Sequence, residues 1–201
     1  MTRSVGIFVF EEVEVLDFAG PYEVFTTASR VSARMNPAAP SPFRVFTVGH
    51  TASPLRARAG LRVFPDAEFS NHPRIDVLIV PGGVVTAELA KPEVVKWIAA
   101  SSERCELTAS VCTGAFLLAQ AGLLHGRRAT THWEDIDDLK SMFPHINVQT
   151  QRRWVDEGNI VTSAGISAGI DMSLHLVERL AGRELATRTA RQMEFDWTEN
   201  A

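Results

Sequence analysis

The sequence predicts an α/β domain, a three-layer sandwich whose mainly parallel central sheet carries helices on both faces. Three observations predict it. Short apolar or β-branched runs alternate along the chain with stretches of helical periodicity. One of them, Ile75-Asp76-Val77-Leu78-Ile79-Val80, is apolar at nearly every position, as expected of a strand covered on both sides. The 201 residues, 45% of them hydrophobic, suffice for one core, so a single domain is expected over 1–201.

Residues 4–10 read as the first buried strand, and 19–34 as a helix with Tyr22, Phe25, Ala28 and Val31 on one face. A proline-bearing stretch through Pro37, Pro40 and Pro42 ends it. Strands follow at 43–48, 61–64 and 75–80, and Pro92 opens a helix to about Arg104. The next strand contains Cys105 and ends at Cys112. Thr113 to Leu124, apolar nearly all round, is a buried helix. Trp133 to Phe143 is a shorter helix with acids in its first turn, and 152–162 is a hairpin around Gly158. Two helices close the chain, the first presenting Ile166, Ile170, Leu174, Val177 and Ala181 at helical spacing.

Charge and composition exclude several function classes. A formal net charge of −4 gives no basic footprint for nucleic acid, and Arg127-Arg128 and Arg152-Arg153 read as solvated surface. No stretch approaches the roughly 18 apolar residues that span a bilayer. The start, Met1-Thr2-Arg3-Ser4, runs straight into the first strand without a cleavage site, so a cytoplasmic protein with no membrane partner is expected. Seven positions apart along an extended strand, Cys105 and Cys112 are too distant for a disulfide and read as free thiols.

In sheets of this kind ligands sit beyond the carboxyl ends of the strands, so chemistry is sought at strand-to-helix turns. In Ser110-Val111-Cys112-Thr113-Gly114-Ala115 an apolar strand ends on a cysteine and a helix begins at once. This is the pattern of a nucleophile elbow, in which a sharp turn lifts the side chain and the helix start favours the thiolate. A buried thiol at a strand end is the alternative. Pro81-Gly82-Gly83 follows the strand at 75–80 and offers backbone amides for an oxyanion hole with Thr113, or simply a tight turn. Asp17, among apolar neighbours in Leu16-Asp17-Phe18-Ala19-Gly20-Pro21, is either a helix cap or, if it reaches Cys112, a buried acid. His132, 20 residues after Cys112, either orients the thiol or starts a helix. The glycine-bearing run Thr162 to Asp171 supplies backbone donors or close helix packing. The remaining histidines show no paired ligand spacing, so no metal and no cofactor are expected.

Together these segments resemble the ThiJ/PfpI superfamily, relatives of the class I glutamine amidotransferase domain, over nearly the whole chain. The match rests on Leu16 to Phe25, Val80 to Gly83, Ser110 to Ala119, Ala129 to Trp133 and Ala164 to Asp171, in that order. The resemblance implies a flavodoxin-like sandwich, a reactive Cys112 on the elbow and a homodimer acting on a small molecule. Within the superfamily the pair Cys112-Thr113 and Asp17 match the isonitrile hydratase pattern and the amidotransferase-like domain of AraC-type regulators. Peptidase members have His directly after the nucleophile, where this chain has Thr113. Glyoxalase-like members carry Glu where it has Asp17. The resemblance therefore implies a hydro-lyase in which Cys112 forms a thioimidate, Asp17 is the general acid and Thr113 positions water or the carboxyl. It further implies that Gly82, Gly83, Gly114 and His132 line the pocket. A stand-alone ligand-binding or redox-sensing domain, or aldehyde-directed activity, is the alternative. Because the chain stops at Asn200-Ala201, no DNA-binding tail is expected.

Overall fold

A computed structural model describes residues 1–199; Asn200 and Ala201, on which the expected chain end rests, lie outside the described residues. β1 (Arg3–Phe8) passes through a loop into α1 (Val15–Met35), and β2 (Phe43–Gly49) returns parallel to β1. A small antiparallel pair, β3 (Leu55–Arg56) and β4 (Arg62–Val63), stands apart, and β5 (Ala67–Glu68) extends the sheet beyond β2. β6 (Val77–Val80) pairs with the other side of β1, and α2 (Thr86–Leu89) and α3 (Pro92–Ser102) follow it. Next come β7 (Leu107–Val111), α4 (Gly114–Gln120) and a peripheral unit of β8 (Arg128–Ala129), α5 (Ile136–Met142) and β9 (Asn147–Val148). β10 (Trp154–Asp156) and β11 (Ile160–Ser163) form the expected hairpin, and α6 (Ala168–Ala181) and α7 (Arg183–Gln192) close the fold.

The main sheet has seven strands in the order β10-β11-β7-β6-β1-β2-β5, parallel at every step except β10 with β11. The crossovers β1-α1-β2 and β6-α3-β7 run in opposite directions across the sheet. Right-handedness therefore puts their helices on opposite faces, with α6 and α7 packed beside α1, and α2 and α4 beside α3. The order reverses between β1 and β6, which makes their carboxyl ends the place for a ligand. All four residues of β6 are fully buried, as its unbroken apolar run requires.

Several boundaries differ from the sequence reading. α1 begins four residues before position 19, so Asp17 lies within its first turn rather than ahead of it as a cap, and Glu14 takes the capping position. The helix continues through Pro21, which only removes the N–H that would bond the Asp17 carbonyl. The helix expected to reach Leu124 ends at Gln120 because Gly122 adopts φ 77°, a left-handed terminus. Ile166 is not on a helix face; α6 starts at Ala168, and Ile166 sits in the loop before it at φ 50°. β3, β5, β9 and α2 are two to four residues long, too short to leave a periodic signal.

Candidate active site

Residues from four strand exits meet at the carboxyl edge of the sheet: Asp17 after β1, Gly82 and Gly83 after β6, Cys112 after β7, and Gly165 and Ile166 after β11. Cys112 is buried and adopts φ 56°, a conformation that costs a non-glycine residue about 1–3 kcal/mol. Its surroundings over-determine that strain. The Cys112 N–H donates to the carbonyls of Ser163 (3.2 Å) and Ala164 (3.3 Å), and its own carbonyl accepts from the Thr131 hydroxyl at 2.9 Å. Two places on, a Cβ at Gly114 would lie 2.1 Å from the Val80 carbonyl oxygen. Backbone cannot yield as a side-chain tip can, so Gly114→Ala is expected to cost at least about 3 kcal/mol. In thermal denaturation that is a fall in Tm of about 6–12 °C, and a Tm unchanged from wild type would contradict the packing described.

Asp17 is fully buried, and the Gly82 N–H donates to its Oδ2 at 3.1 Å. The Cys112 thiol and the Ile166 amide lie near enough to favour the carboxylate, but no hydrogen bond closes on Oδ1 among the described residues. Burial pushes the Asp17 carboxyl up to about 7, with the Gly82 amide opposing and the Glu14 charge adding. Burial, then the Asp17 charge, pushes the Cys112 thiol up to about 12, with only the Thr113 amide pulling it down substantially. The helix start was expected to favour the thiolate. α4 is seven residues long, and its dipole does not offset the loss of water around sulfur. At neutral pH the pair is therefore a protonated thiol beside a carboxyl group that exchanges its proton.

The glycine pair permits this approach. A Cβ on Gly82 would stand 2.5 Å from both the amide nitrogen and Oγ1 of Thr113. Gly83, at φ 136°, bridges to Val13, and a Cβ there would meet the Glu12 carbonyl oxygen at 2.3 Å. The same contacts revise the expected roles. Gly82 spends its N–H on Asp17, and Gly83 donates to Thr113 Oγ1 at 2.9 Å, so neither amide is free to hold developing charge. Thr113 Oγ1 also donates to the Gly83 carbonyl at 2.9 Å, which commits the hydroxyl to clamping the loop rather than to water or Asp17.

His132 is a helix start: its Nδ1 accepts from the Glu134 N–H at 3.4 Å and lies 3.3 Å from Asp135 Oδ2. Its ring packs on Gly165, where a Cβ would lie 2.0 Å from Cδ2. Two residues were not expected as part of the site, Asp135 and Ile166, the latter having been read as a helix-face residue. Asp135 places a carboxylate close enough to raise the thiol further. Ile166 turns its amide toward Asp17 from a left-handed conformation rare for a β-branched residue. The only sequence signal for Ile166 is its place in the run flagged as a source of backbone donors. Cys105 lies elsewhere, ahead of β7, with its thiol 3.4 Å from the Ile75 carbonyl oxygen. Among the described residues no cluster of three or more His, Cys, Asp or Glu could hold a metal ion, and no helix is long and apolar enough to cross a membrane.

Comparison with known proteins agrees with the fold. Isonitrile hydratase from Pseudomonas putida is 33% identical over 196 residues, covering 97% of this chain and 79% of that protein. The transcriptional regulator GbdR of Pseudomonas aeruginosa is 30% identical over 98% of this chain, which spans only 52% of the regulator's length. Among solved structures, a ThiJ/PfpI family protein from Pseudomonas syringae superimposes with a TM-score of 0.85 at 29% identity, over 99% of this chain and 77% of that one. Drosophila melanogaster DJ-1beta shares the fold with a TM-score of 0.81 at 20% identity, over 98% and 100%. The family profile of DJ-1/PfpI matches residues 3–179, and the chain belongs to the DJ-1/PfpI family.

Proposed function

We propose that the chain is a cysteine-dependent hydratase that converts an isonitrile to an N-substituted formamide. The observation that carries the reading is the buried Asp17 carboxyl, held beside the Cys112 thiol with one oxygen bound to Gly82 and the other unbound. The terminal carbon of R–N≡C takes a proton from Asp17 while Cys112 sulfur bonds to that carbon. The thiol proton passes to Asp17, so the carboxyl is restored and a thioimidate, R–N=CH–S–Cys112, results. Water then adds to the same carbon, the nitrogen gains a proton, and the C–S bond breaks. The products are R–NH–CHO and the free thiol. In this scheme Thr113 is a positioning residue that fixes the Gly83 loop, and Gly82 orients Asp17 so that Oδ1 faces the reacting carbon. A homodimer in the cytoplasm belongs to the same proposal.

The likeness to GbdR supports a second reading, a ligand-sensing domain. A peroxide sensor needs an accessible thiolate, whereas Cys112 is buried and its thiol is pushed up to about 12. The test is the isocyanide infrared stretch of several alkyl and aryl isonitriles mixed with the protein. The hydratase reading expects its decay with formamide appearing in equal amount. If no isonitrile is consumed while peroxide rapidly adds oxygen to Cys112 by intact mass, the sensor reading replaces it.

A further inference from the structure

A second cavity opens far from Cys112, at the amino-terminal ends of β6 and β7, with a volume of about 700 Å³. Its size falls in the range of small-molecule sites. Phe69 lines it, and that ring is stacked on Trp97 behind it, with centroids 4.1 Å apart and planes 7° from parallel. Arg74 and Arg104 line it as well. Arg74 is paired with Asp76 at 3.1 Å, while the Arg104 side chain makes no ion pair or hydrogen bond among the described residues. The His72 ring is held by the fold, with its Nδ1 2.8 Å from the Pro73 carbonyl oxygen and its Nε2 3.3 Å from the Trp97 indole nitrogen.

Ser101 is the independent sign of a missing ligand. It lines the cavity at 3% exposure, and its buried hydroxyl has no hydrogen-bond partner among the described residues. A buried hydroxyl that has lost water is rarely kept without another partner. A flat apolar wall, an unpaired guanidinium and an orphaned hydroxyl around one cavity are together complementary to a planar ring bearing a carboxylate. From this geometry we infer a second binding site for a small aromatic carboxylate, separate from the Cys112 site. The ring lies along Phe69, and the carboxylate bridges Arg104 and Ser101.

The probe is 2-naphthoate, followed by equilibrium dialysis against the full chain carrying Cys105→Ser, with Cys112 free and with Cys112 alkylated by iodoacetamide. The site expects saturable binding tighter than about 1 mM in both forms. Neutral 2-naphthalenemethanol is expected to bind about tenfold more weakly, and Arg104→Gln to weaken naphthoate by a similar factor. Ser101→Ala is expected to weaken naphthoate severalfold without lowering the Tm of the unliganded protein, which excludes a folding defect as the cause. Isonitrile turnover is expected to be unchanged in Arg104→Gln. The inference is overturned by the absence of saturable binding, by binding that Arg104→Gln leaves intact, or by binding that alkylation of Cys112 abolishes.

Discussion

Cys112→Ala is expected to abolish isonitrile consumption down to the rate in buffer, while the protein stays folded. The covalent step has no substitute nucleophile. The other thiol, Cys105, is half-buried at the opposite end of the sheet and is held on the Ile75 carbonyl. Loss of one sulfur atom changes the packing little, and alanine meets the same φ penalty at this position. Stability should therefore move by about 1 kcal/mol or less. Matched thermal melts and infrared traces of the two proteins check this. Turnover by Cys112→Ala above the buffer rate would remove the thioimidate from the mechanism.

Asp17→Asn is expected to lower kcat/KM by about 10²–10⁴-fold, the usual worth of a general acid, and to raise stability at alkaline pH. An amide oxygen can still accept from the Gly82 N–H, so the local fold is kept while the transferable proton is lost. The stability effect follows from linkage. The carboxyl sits at about 7 in the folded chain against the usual 3.8, so between those values the native state binds a proton that the unfolded chain has released. Its contribution is thus fully present below about pH 4 and is lost as pH rises through about 7, for a total of up to about 4 kcal/mol. Asparagine carries no such dependence. Its Tm should exceed that of wild type at pH 8, and the difference should shrink steadily toward pH 4. In the wild type, kcat/KM should fall as pH rises through about 7, because the acid form of Asp17 does the work. A rate that instead climbs through pH 7 would make Asp17 a base and overturn its assigned role.

The alternation of runs was enough to read the α/β layers, and the continuous apolar stretch at 75–80 was enough to place a central strand. The strand-end position of Cys112 and the small residue at Gly114 were equally legible, because a sharp turn between strand and helix leaves a compact local pattern. Long elements were recovered to within a few residues. α1 was set four residues too short at its start, and it absorbs Pro21 by giving up one hydrogen bond. Elements of two to four residues, such as β3 and α2, are held by the loops around them rather than by their own periodicity.

Which backbone groups remain free at the site was not legible. Gly82 and Gly83 looked like available donors, but one is spent on Asp17 and the other on Thr113. His132 looked able to reach the thiol, but its ring nitrogen serves its own helical turn. These assignments depend on ångström-scale approaches between segments tens of residues apart, which no local pattern encodes.

By itself, then, the sequence determined the layers, a mainly parallel sheet and the thiol at the exit of one strand. Hydrophobic periodicity, turn chemistry and the right-handed crossover act over short spans and suffice for that much. Only the tertiary structure decided that Asp17 and Cys112 share one water-poor pocket. Their proton affinities are set by desolvation and by each other's charge, and both arise only when chain segments 95 residues apart close over the same few ångströms.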